Sequence, residues 1–533
     1  MPAIISDQFR ILNAANFVAG VADPNQYYYS FIGLPNSQDV TAGYGQTDWN
    51  ENTPAPMDGF KEYDDVWDTM LGLKKINVDD IQRMVKKTTW TAGTVYEMYK
   101  NGYTRENQSP KTSSTNLYDA QYYVVNSDLK VYLCINNGQS PDNPQGRQSL
   151  DEPTFVDLEP RAAGTSGDGY VWKYLYTIKP NQIIKFDSID FMPVPNALGT
   201  GESIDIKNNA VDGKIETAVI LNAGDGYQPI GTTFNNIPIL GDGTGGKVSV
   251  TVNSQGKVSD VTVTNGGTGY TSGTVQFYPG APGTEIGGPI AGLSAVGVAG
   301  TSVADIEVVI PPPGGHGFDV YKELGAFRVL MYARFENDSS NPDFIVGNDF
   351  ARVGLVKNPK TLSGAALTKS SAVSLTSLKL KTTGGGNISD TTFTIDAAVS
   401  QQIGVGSTAV GYVANWDPST SVLKLYTPTG IGNSTYGFRM VDFTSQIGPG
   451  GVYDIVGQGG PAVGIDTSFG TSSNPGTATT VGTALVQLGQ NFIEGVADPE
   501  VKKYSCEILY IDNRAAIQRS ATQKEDVKIV LEF

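Results

Sequence analysis

The sequence predicts a mainly β protein of the α+β class, with a layered β-sandwich body, a few short helices and two inserted β-rich modules. Three observations support this prediction. The 533 residues include 63 Gly and 29 Pro, and with many Thr, Ser, Val and Tyr residues they favour strands joined by tight turns over helical bundles. Period-2 alternation of apolar side chains recurs from residue 118 onward, whereas helical spacing is concentrated in the first hundred residues. The length predicts two to four domains.

Helical spacing is strongest near the N-terminus. Ser6 or Asp7 is suited to cap a first helix, because a short polar side chain accepts hydrogen bonds from the free N–H groups at a helix start. Apolar residues at helical spacing follow Asp65, which predicts a second helix. Asn77 or Asp79 is expected to begin a third, short helix over the apolar residues 81, 84 and 85.

The most informative strand runs from Gly167 to Pro180, where a glycine-rich turn leads into a period-2 pattern that a proline ends. Successive side chains of a strand point to opposite faces. One face would comprise Trp172, Tyr174, Tyr176 and Ile178, and the other Val171, Lys173, Leu175 and Thr177. We expect the aromatic face to lie in the core; the alternative is a platform on which a ligand stacks.

Two further patterns extend the β assignment. Residues 121–125 and 130–135 read as strands, and the turn sequence Asn126-Ser127-Asp128 between them predicts a hairpin. The segment 217–227 is echoed by 260–270, each with a strand, a glycine-rich turn and a tyrosine. This recurrence, about 43 residues apart, predicts an internal duplication of a small β unit.

Changes in composition predict how the chain divides into domains. The pattern changes near residues 202 and 361, and Pro311–Gly315 punctuates the chain before it returns to the main body. The predicted segments are 1–202, the N-terminal part of the main body; 203–317, an inserted β-module with the duplicated unit; 318–360, a return to the main body; 361–497, a second inserted β-module; and 498–533, the C-terminal strands of the main body.

Two apolar strands are predicted at the C-terminus, over residues 507–511 and 524–533, joined by a turn at Asn513-Arg514. In the first strand Ile508 and Tyr510 share one face, with Leu509 and Ile511 opposite. In the second, Val527, Ile529 and Leu531 line one face. A final strand this apolar is expected to close the main sheet in the core.

Charge and cysteine content restrict the possible partners. The 37 Lys and Arg against 54 Asp and Glu give a net charge of −17 and a pI near 4.6, which disfavours nucleic acid as a partner. The sequence shows no apolar run of about 18 residues and no signal-peptide pattern, so we expect a soluble protein with no membrane partner. Cys134 and Cys506 form no disulfide framework and are expected to be buried or half-buried residues of a protein folded in a reducing cytoplasm.

No pattern identifies a catalytic residue. His316 is the only histidine, which excludes multi-histidine metal sites and leaves one possible base for Ser-His-Asp or Cys-His chemistry. Its setting, Gly314-Gly315-His316-Gly317, predicts a turn residue that takes unusual backbone angles. The acidic clusters at 64–65, 79–80 and 151–159 lack calcium-loop spacing and a fixed carboxylate pair, so we interpret them as helix caps and solvated acids.

A glycine-rich run and a basic run are the remaining candidates for ligand binding. Gly241–Lys247 matches most of a phosphate-loop pattern, but Val248 stands where Ser or Thr would hold magnesium, and a strand follows instead of a helix. We therefore predict a hairpin turn there. The run Arg83–Lys87 is short and lies in an acidic protein, so it favours a contact with a partner protein over nucleic acid. The sequence predicts no enzyme, cofactor or metal site.

The strand at Gly167–Pro180 resembles the hallmark strand of the gene-product-eight family, the baseplate wedge subunit of T-even-type contractile-tailed phages. Three other stretches agree with it in the same order. They are Phe9-Arg10 with Asn16-Phe17; Asp65-Val66-Trp67 through Met70-Leu71-Gly72 to Trp90; and Glu507–Ile517 followed by Val527–Phe533. The resemblance covers roughly residues 1–200, 318–360 and 498–533, and the two inserted modules depart from the family's pattern.

The resemblance implies a structural protein of the virion, located in the tail baseplate and assembled in the host cytoplasm. It implies a mainly β body that forms a dimer within each wedge and contacts the other wedge proteins, acting through interfaces when the baseplate assembles and changes shape at the host. A second possibility, suggested by the tyrosine-rich β-modules, is a carbohydrate-binding tail or fibre adhesin. A polysaccharide-degrading enzyme comes third.

Overall fold

A computed structural model describes residues 6–35, 49–104, 113–195, 202–277, 290–295, 303–336, 349–382, 388–404, 407–427, 447–448, 451–452, 454–520 and 523–533. It confirms the predicted mainly β class: 42% of the chain is strand and 12% is helical, and the sheets are antiparallel and sandwich-like. Contacts within the chain divide it into two compact units. The first unit comprises Met1–Asn16, Gln82–Leu330 and Leu531–Phe533, and the second comprises Phe17–Ile81 and Met331–Val530.

The α-helices are α1 (Asp7–Ala22), α2 (Phe60–Thr69), α3 (Pro180–Phe186), α4 (Glu202–Asn209) and α5 (Val320–Glu323). The strands up to the middle of the chain are β1 (Tyr28–Gly33), β2 (Met70–Ile76), β3 (Ile81–Lys86), β4 (Tyr123–Val125), β5 (Lys130–Asn137), β6 (Tyr170–Thr177), β7 (Phe191–Val194), β8 (Ala218–Asn222), β9 (Tyr227–Gln228), β10 (Thr232–Pro238), β11 (Leu240–Gly241), β12 (Lys247–Val252), β13 (Val258–Asn265), β14 (Gly273–Thr274), β15 (Ser294–Ala295) and β16 (Asp305–Val308). The later strands are β17 (Arg328–Glu336), β18 (Asp349–Lys357), β19 (Ser371–Val373), β20 (Thr376–Thr382), β21 (Ala398–Gly404), β22 (Ser407–Asp417), β23 (Val422–Tyr426), β24 (Ile447–Gly448), β25 (Gly451–Val452), β26 (Ile455–Val456), β27 (Val463–Ile465), β28 (Ala478–Val481), β29 (Ala484–Gln487), β30 (Val496–Ala497), β31 (Glu507–Gln518) and β32 (Lys524–Glu532).

The predicted helix starts are partly right. Ser6 caps α1, because its hydroxyl accepts a hydrogen bond from the Phe9 N–H at 3.3 Å. The helix predicted after Asn77 is wrong. The Asp80 carboxylate accepts from the backbone N–H of Asn77 at 3.2 Å and so closes a single 3-10 turn. The apolar residues that follow form strand β3, whose residues 83–86 pair with β7.

The large hydrophobic core of the first unit contains residues of strand β6. This strand pairs with β5, which also pairs with β4, so the predicted hairpin is confirmed. The aromatic face is core, as expected: Trp172, Tyr174, Tyr176 and Ile178 are all buried. The opposite face is less exposed than its polar residues suggested. Lys173 is 2% exposed, and its Nζ lies 3.3 Å from Glu216 Oε1. This carboxylate supplies the opposite charge that a buried ammonium group needs.

The two echoed segments of the first unit contain turns of the same geometry, whereas the internal duplication stays a prediction. Tyr227 and Tyr270 are both buried, and the two glycines before each have positive φ. The Tyr227 hydroxyl donates to Phe277 O at 2.9 Å and accepts from the Ala304 N–H at 2.8 Å. The Tyr270 hydroxyl likewise joins a carbonyl and an amide, donating at 3.1 Å and accepting at 3.0 Å. Each segment therefore fixes its glycine-rich turn by the same tyrosine bridge.

A third turn of the same form precedes β6. The comparison of segments 217–227 and 260–270 in the sequence did not reveal it. Gly167 and Gly169 have positive φ and are followed by the buried Tyr170. The Tyr170 hydroxyl donates to Arg147 O at 2.8 Å and accepts from the Tyr96 N–H at 2.8 Å. The Gly-x-Gly-Tyr turn thus occurs at three places in the first unit.

The second unit contains two larger sheets. One has the strand order β19-β2-β1-β18-β31, and the other has the order β26-β21-β22-β23-β20-β27 with β30 paired to β20. The second sheet surrounds a hydrophobic core of its own, made by residues between 378 and 465. The proposed segment boundaries stay a prediction, although β19, which falls within 361–497, pairs with β2 of the first of these sheets.

The C-terminal strands differ from expectation. Asn513 and Arg514 are not a turn, because β31 continues to Gln518. Leu509 occupies a β-bulge, since Leu355 pairs with Tyr510 while Val356 pairs with Ile508. This extra residue breaks the predicted alternation, and Ile508 and Ile511 both pack against the same buried cluster. The prediction that one face of β32 lies in the core is only partly right, because Ile529 is buried whereas Val527 and Leu531 are only partly buried.

Candidate interaction sites

The glycine-rich run at 241–247 is a hairpin turn, as predicted, and β12 follows it directly. Its glycines make room for a buried ring rather than for phosphate. A Cβ built at Gly243 overlaps the Tyr270 ring, and one at Gly246 would lie 2.8 Å from the Tyr270 hydroxyl. Thr244 exchanges two backbone hydrogen bonds with Thr268, which ties this loop to the second Gly-x-Gly-Tyr turn. The local packing therefore explains the sequence pattern.

Replacing Gly243 with alanine is expected to destabilise the first unit by about 1–3 kcal/mol, because the added methyl group forces the Tyr270 ring from its site. Chemical denaturation followed by tyrosine fluorescence would measure the change. Gly459→Ala is a matched control, because its new Cβ would have its nearest neighbour at 3.8 Å. Equal stability of the two variants would contradict this account of the loop.

His316 lies in the predicted turn, but the glycines on both sides of it, and not His316 itself, have the positive φ that the sequence led us to expect of this residue. The sequence did not predict that His316 is buried or that its Nδ1 contacts Glu323 Oε1 at 2.5 Å. Glu323 Oε2 accepts the Gly317 N–H at 2.8 Å, so this carboxylate holds the turn against α5. The His316 ring also meets the Tyr99 ring edge-on, at 4.7 Å between centroids. These contacts indicate that His316 has a structural role, in which it holds its turn against α5 and Tyr99.

The other candidate ligands and nucleophiles have partners within the chain. The described ranges contain no group of three or more His, Cys, Asp or Glu side chains placed to hold a metal ion. Asp151 accepts the Ser166 N–H, and Asp157 pairs with Arg161. Cys134 is buried and Cys506 partly buried, as predicted, and burial raises the pKa of the Cys506 thiol to about 12. Both cysteines are free thiols held in the protonated, weakly reactive form.

The basic run divides between core and surface. Arg83 lies over the Tyr321 ring, with its guanidinium carbon 3.1 Å from the ring centroid, and burial lowers its pKa. Lys87 pairs with Asp187 at 2.7 Å, whereas the Lys86 side chain is half exposed and lies 3.7 Å from Asp119. Of the run, Lys86 is thus the residue most available to another protein, and the contact predicted there stays a prediction.

A cavity of about 1180 Å³ opens in the first unit beside His316, which contacts the lining residues Tyr99 and Glu323. Buried Tyr99, Pro311 and Glu323 line it, together with partly buried Leu117 and Tyr118. The exposed lining side chains are Gln8, Asn101, Lys207, Asn208, Asp212, Phe318 and Lys322. Sequence reasoning missed this cavity, because its lining comes from α1, α4, α5 and loops far apart in the chain.

Hydrogen bonds fix the shape of this cavity. The Tyr118 hydroxyl donates to Lys322 O at 2.6 Å, and burial raises the Tyr118 pKa to about 12, so the group is a neutral donor at physiological pH. Asp319 caps α5 by accepting the Lys322 N–H at 3.2 Å. Asp212 accepts the Gly314 N–H at 2.7 Å, which joins the segment after α4 to the proline-rich segment.

In the second unit, apolar side chains are left uncovered beside β31. The segment from Trp49 to Glu62 is bonded to this strand: Trp49 Nε1 donates to Arg514 O at 2.6 Å, and Asn50 Oδ1 accepts the Ala516 N–H at 2.8 Å. The exposed fractions of the apolar side chains on the segment and the strand are 55% for Met57, 89% for Phe60, 37% for Leu509 and 46% for Ile517. Leu509 and Ile517 lie eight positions apart, near opposite ends of β31, so these four side chains are spread along the strand. We call this set the apolar patch.

A buried ionic cluster lies under the same region. Arg352 donates to Glu62 Oε1 at 3.1 Å, to Asn513 Oδ1 at 2.9 Å and to Thr69 Oγ1 at 3.2 Å. The side chains of Arg352 and Glu62 are 0% and 1% exposed. The cluster ties α2, β18 and β31 together, and nothing in the local sequence around Arg352 predicted it.

Comparison with known protein families finds no match for this sequence, and a search of curated proteins finds none either. Among the described residues, no helix is both long and apolar enough to span a bilayer.

Proposed function

We propose that this protein is a structural subunit of the baseplate wedge of a contractile phage tail, which acts through protein–protein interfaces during baseplate assembly and its rearrangement at the host. Four motifs in the expected order, ending with Glu507–Ile517 and Val527–Phe533, support the proposal. In this role the protein forms a dimer in the wedge, contacts the other wedge proteins and performs no chemistry of its own. Its place is the virion, after assembly in the host cytoplasm.

The observation that carries an interface function is the apolar patch. Large exposed apolar side chains that recur along one strand and the segment bonded to it make that edge of the unit a candidate for protein association. Here Phe60, at 89% exposed, begins α2, and Glu62 of the same helix is held to β31 through Asn513 Nδ2 at 3.4 Å. The buried ionic cluster holds the backbone beneath these exposed side chains in place. Apolar side chains fixed in this way are suited to a stable contact with a partner.

The charge of the chain favours a different protein as the occupant of the patch. The chain carries a net charge of −17, so a less acidic partner gains from charge complementarity when it binds here. We therefore assign the apolar patch to a neighbouring wedge protein and not to the dimer contact. Two β-bulges in β31 disfavour added strand pairing, so side chains would make this contact.

Burial of the module tyrosines removes the original support for the carbohydrate-binding adhesin. Tyr227 and Tyr270 in the first inserted segment are buried and bonded, and Tyr426 in the second is also buried. These rings are therefore placed to stabilise the modules. An adhesin function stays a proposal that needs another site.

Co-expression with the neighbouring wedge proteins, followed by native mass measurement, tests the proposed function. We expect complexes heavier than the 56.6 kDa chain and expect Phe60→Asp to weaken the heteromeric contact about 30-fold, since a hot spot contributes about 2 kcal/mol or more. An acidic residue in the first turn of α2 suits the helix dipole, so folding is preserved.

The matched control is Leu485→Asp, which alters a side chain that is 68% exposed on the β28–β29 hairpin of the same unit. Equal loss of binding in both variants would show a general charge effect and reject the patch as the interface. A chain that stays alone with every wedge protein would reject the assembly function itself.

A further inference from the structure

We infer that the cavity beside His316 is a binding site for a neutral oligosaccharide. The inference stands independently of the wedge function, because the cavity lies wholly within the first unit and shares no residue with the apolar patch.

The size of the cavity sets the size of the ligand. Pockets for drug-sized molecules usually measure about 300–1,000 Å³. At about 1180 Å³ this cavity exceeds that range, so a single small ring would leave most of it filled with water. A chain of two or three sugar rings matches the space.

The cavity offers aromatic surface on which such rings stack. Phe318 is 44% exposed, and Lys207 Nζ lies 5.3 Å from its ring centroid, so the cation and the ring border the same opening. Tyr99 and Tyr118 add ring surface deeper inside. The face of an aromatic ring carries partial negative charge. The C–H groups on the apolar face of a sugar carry partial positive charge, so the two faces attract each other when they stack.

The polar lining suits hydroxyl groups, which both donate and accept hydrogen bonds. Asn101, a lining residue, accepts the Ile310 N–H at its Oδ1 at 3.3 Å, and its Nδ2 donors have no partner among the described residues. Asp212 uses Oδ1 for Gly314 and keeps Oδ2 as an acceptor. Asn208 makes no hydrogen bond with any described residue and offers both functions.

The charge of the cavity lining favours a neutral ligand over an anionic one. Two lysines, Lys207 and Lys322, face three carboxylates, Asp212, Asp319 and Glu323, so the lining carries one net negative charge. Phosphate, nucleotides and acidic sugars are repelled by this balance and by the charge of the whole chain. A wholly apolar ligand would strip water from the polar rim without replacing its hydrogen bonds.

The test uses the full chain on an array of neutral oligosaccharides built from glucose, galactose, mannose and N-acetylhexosamines, with sialyllactose and decaproline as further probes. Titration calorimetry then measures the affinity of the best neutral probe. We expect binding in the millimolar range or tighter, weakened about tenfold in Phe318→Ala because one aromatic stack is lost.

Leu485→Ala is the control, since it removes another large exposed apolar side chain that does not line the cavity. Asn208→Ala serves as a second variant with little effect on folding, because this side chain has no partner among the described residues. The inference is overturned if no neutral oligosaccharide binds, if sialyllactose or decaproline binds more tightly, or if Phe318→Ala and Asn208→Ala both bind like the unaltered chain.

Discussion

Replacing Arg352 with methionine is expected to lower the free energy of unfolding of the second unit by about 3–5 kcal/mol, because the change leaves the Glu62 carboxylate buried without its counter-charge. Asn513 Oδ1 and Thr69 Oγ1 would also lose the hydrogen bonds that the guanidinium group donates to them. Urea denaturation would measure the loss. Trp49 is a built-in reporter, since the Arg352 guanidinium carbon lies 5.3 Å from its ring.

The double variant Glu62→Leu with Arg352→Met distinguishes charge burial from lost packing. Removing both charges with side chains of similar size is often neutral or stabilising, so the double variant is expected to be more stable than Arg352→Met alone. If the single variant loses less than about 1 kcal/mol, water reaches Glu62 and the cluster is not the buried tie described above.

Replacing Trp172 with alanine is expected to destabilise the first unit by about 3–5 kcal/mol, the usual cost of emptying a large aromatic site in a core. Trp172 is fully buried and stacks on the Tyr170 ring at 5.3 Å with an interplanar angle of 16°. It also meets Tyr96 edge-on at 5.9 Å. Denaturation followed by circular dichroism would show the loss without depending on the removed fluorophore.

Trp172→Phe is the informative control for this site. Trp172 Nε1 has no hydrogen-bond partner in the described structure, so phenylalanine sacrifices ring volume but no hydrogen bond. We expect less than half of the loss seen for alanine. Equal losses in the two variants would mean that the indole N–H, and not the packed ring, stabilises β6.

Local patterns in the sequence predicted local structure well. The aromatic face of β6, the duplicated tyrosine turn and the hairpin at the phosphate-loop-like run each depend on residues close together in the chain. The failed helix after Asn77 shows the limit, because apolar spacing over 81–85 fits a helix and a strand equally until the partner strand β7 is known. Strand pairing decided the outcome.

The sites depend on distant residues, which single-sequence reasoning does not bring together. Arg352 meets Glu62, Thr69 and Asn513, which lie 290, 283 and 161 positions away. The cavity beside His316 likewise combines residues from 8 to 323. The burial of Lys173 likewise depends on a distant residue, because its charge is paired with Glu216, 43 positions away in the chain.

The bulges of β31 also have a consequence for the newly made chain. A regular twelve-residue edge strand is a template on which identical chains can add one after another into fibrils. The displaced residues at Leu509 and around Arg514 interrupt the even spacing of amide and carbonyl groups that such growth requires. Newly made copies crowded together would therefore stay available for ordered association instead of polymerising.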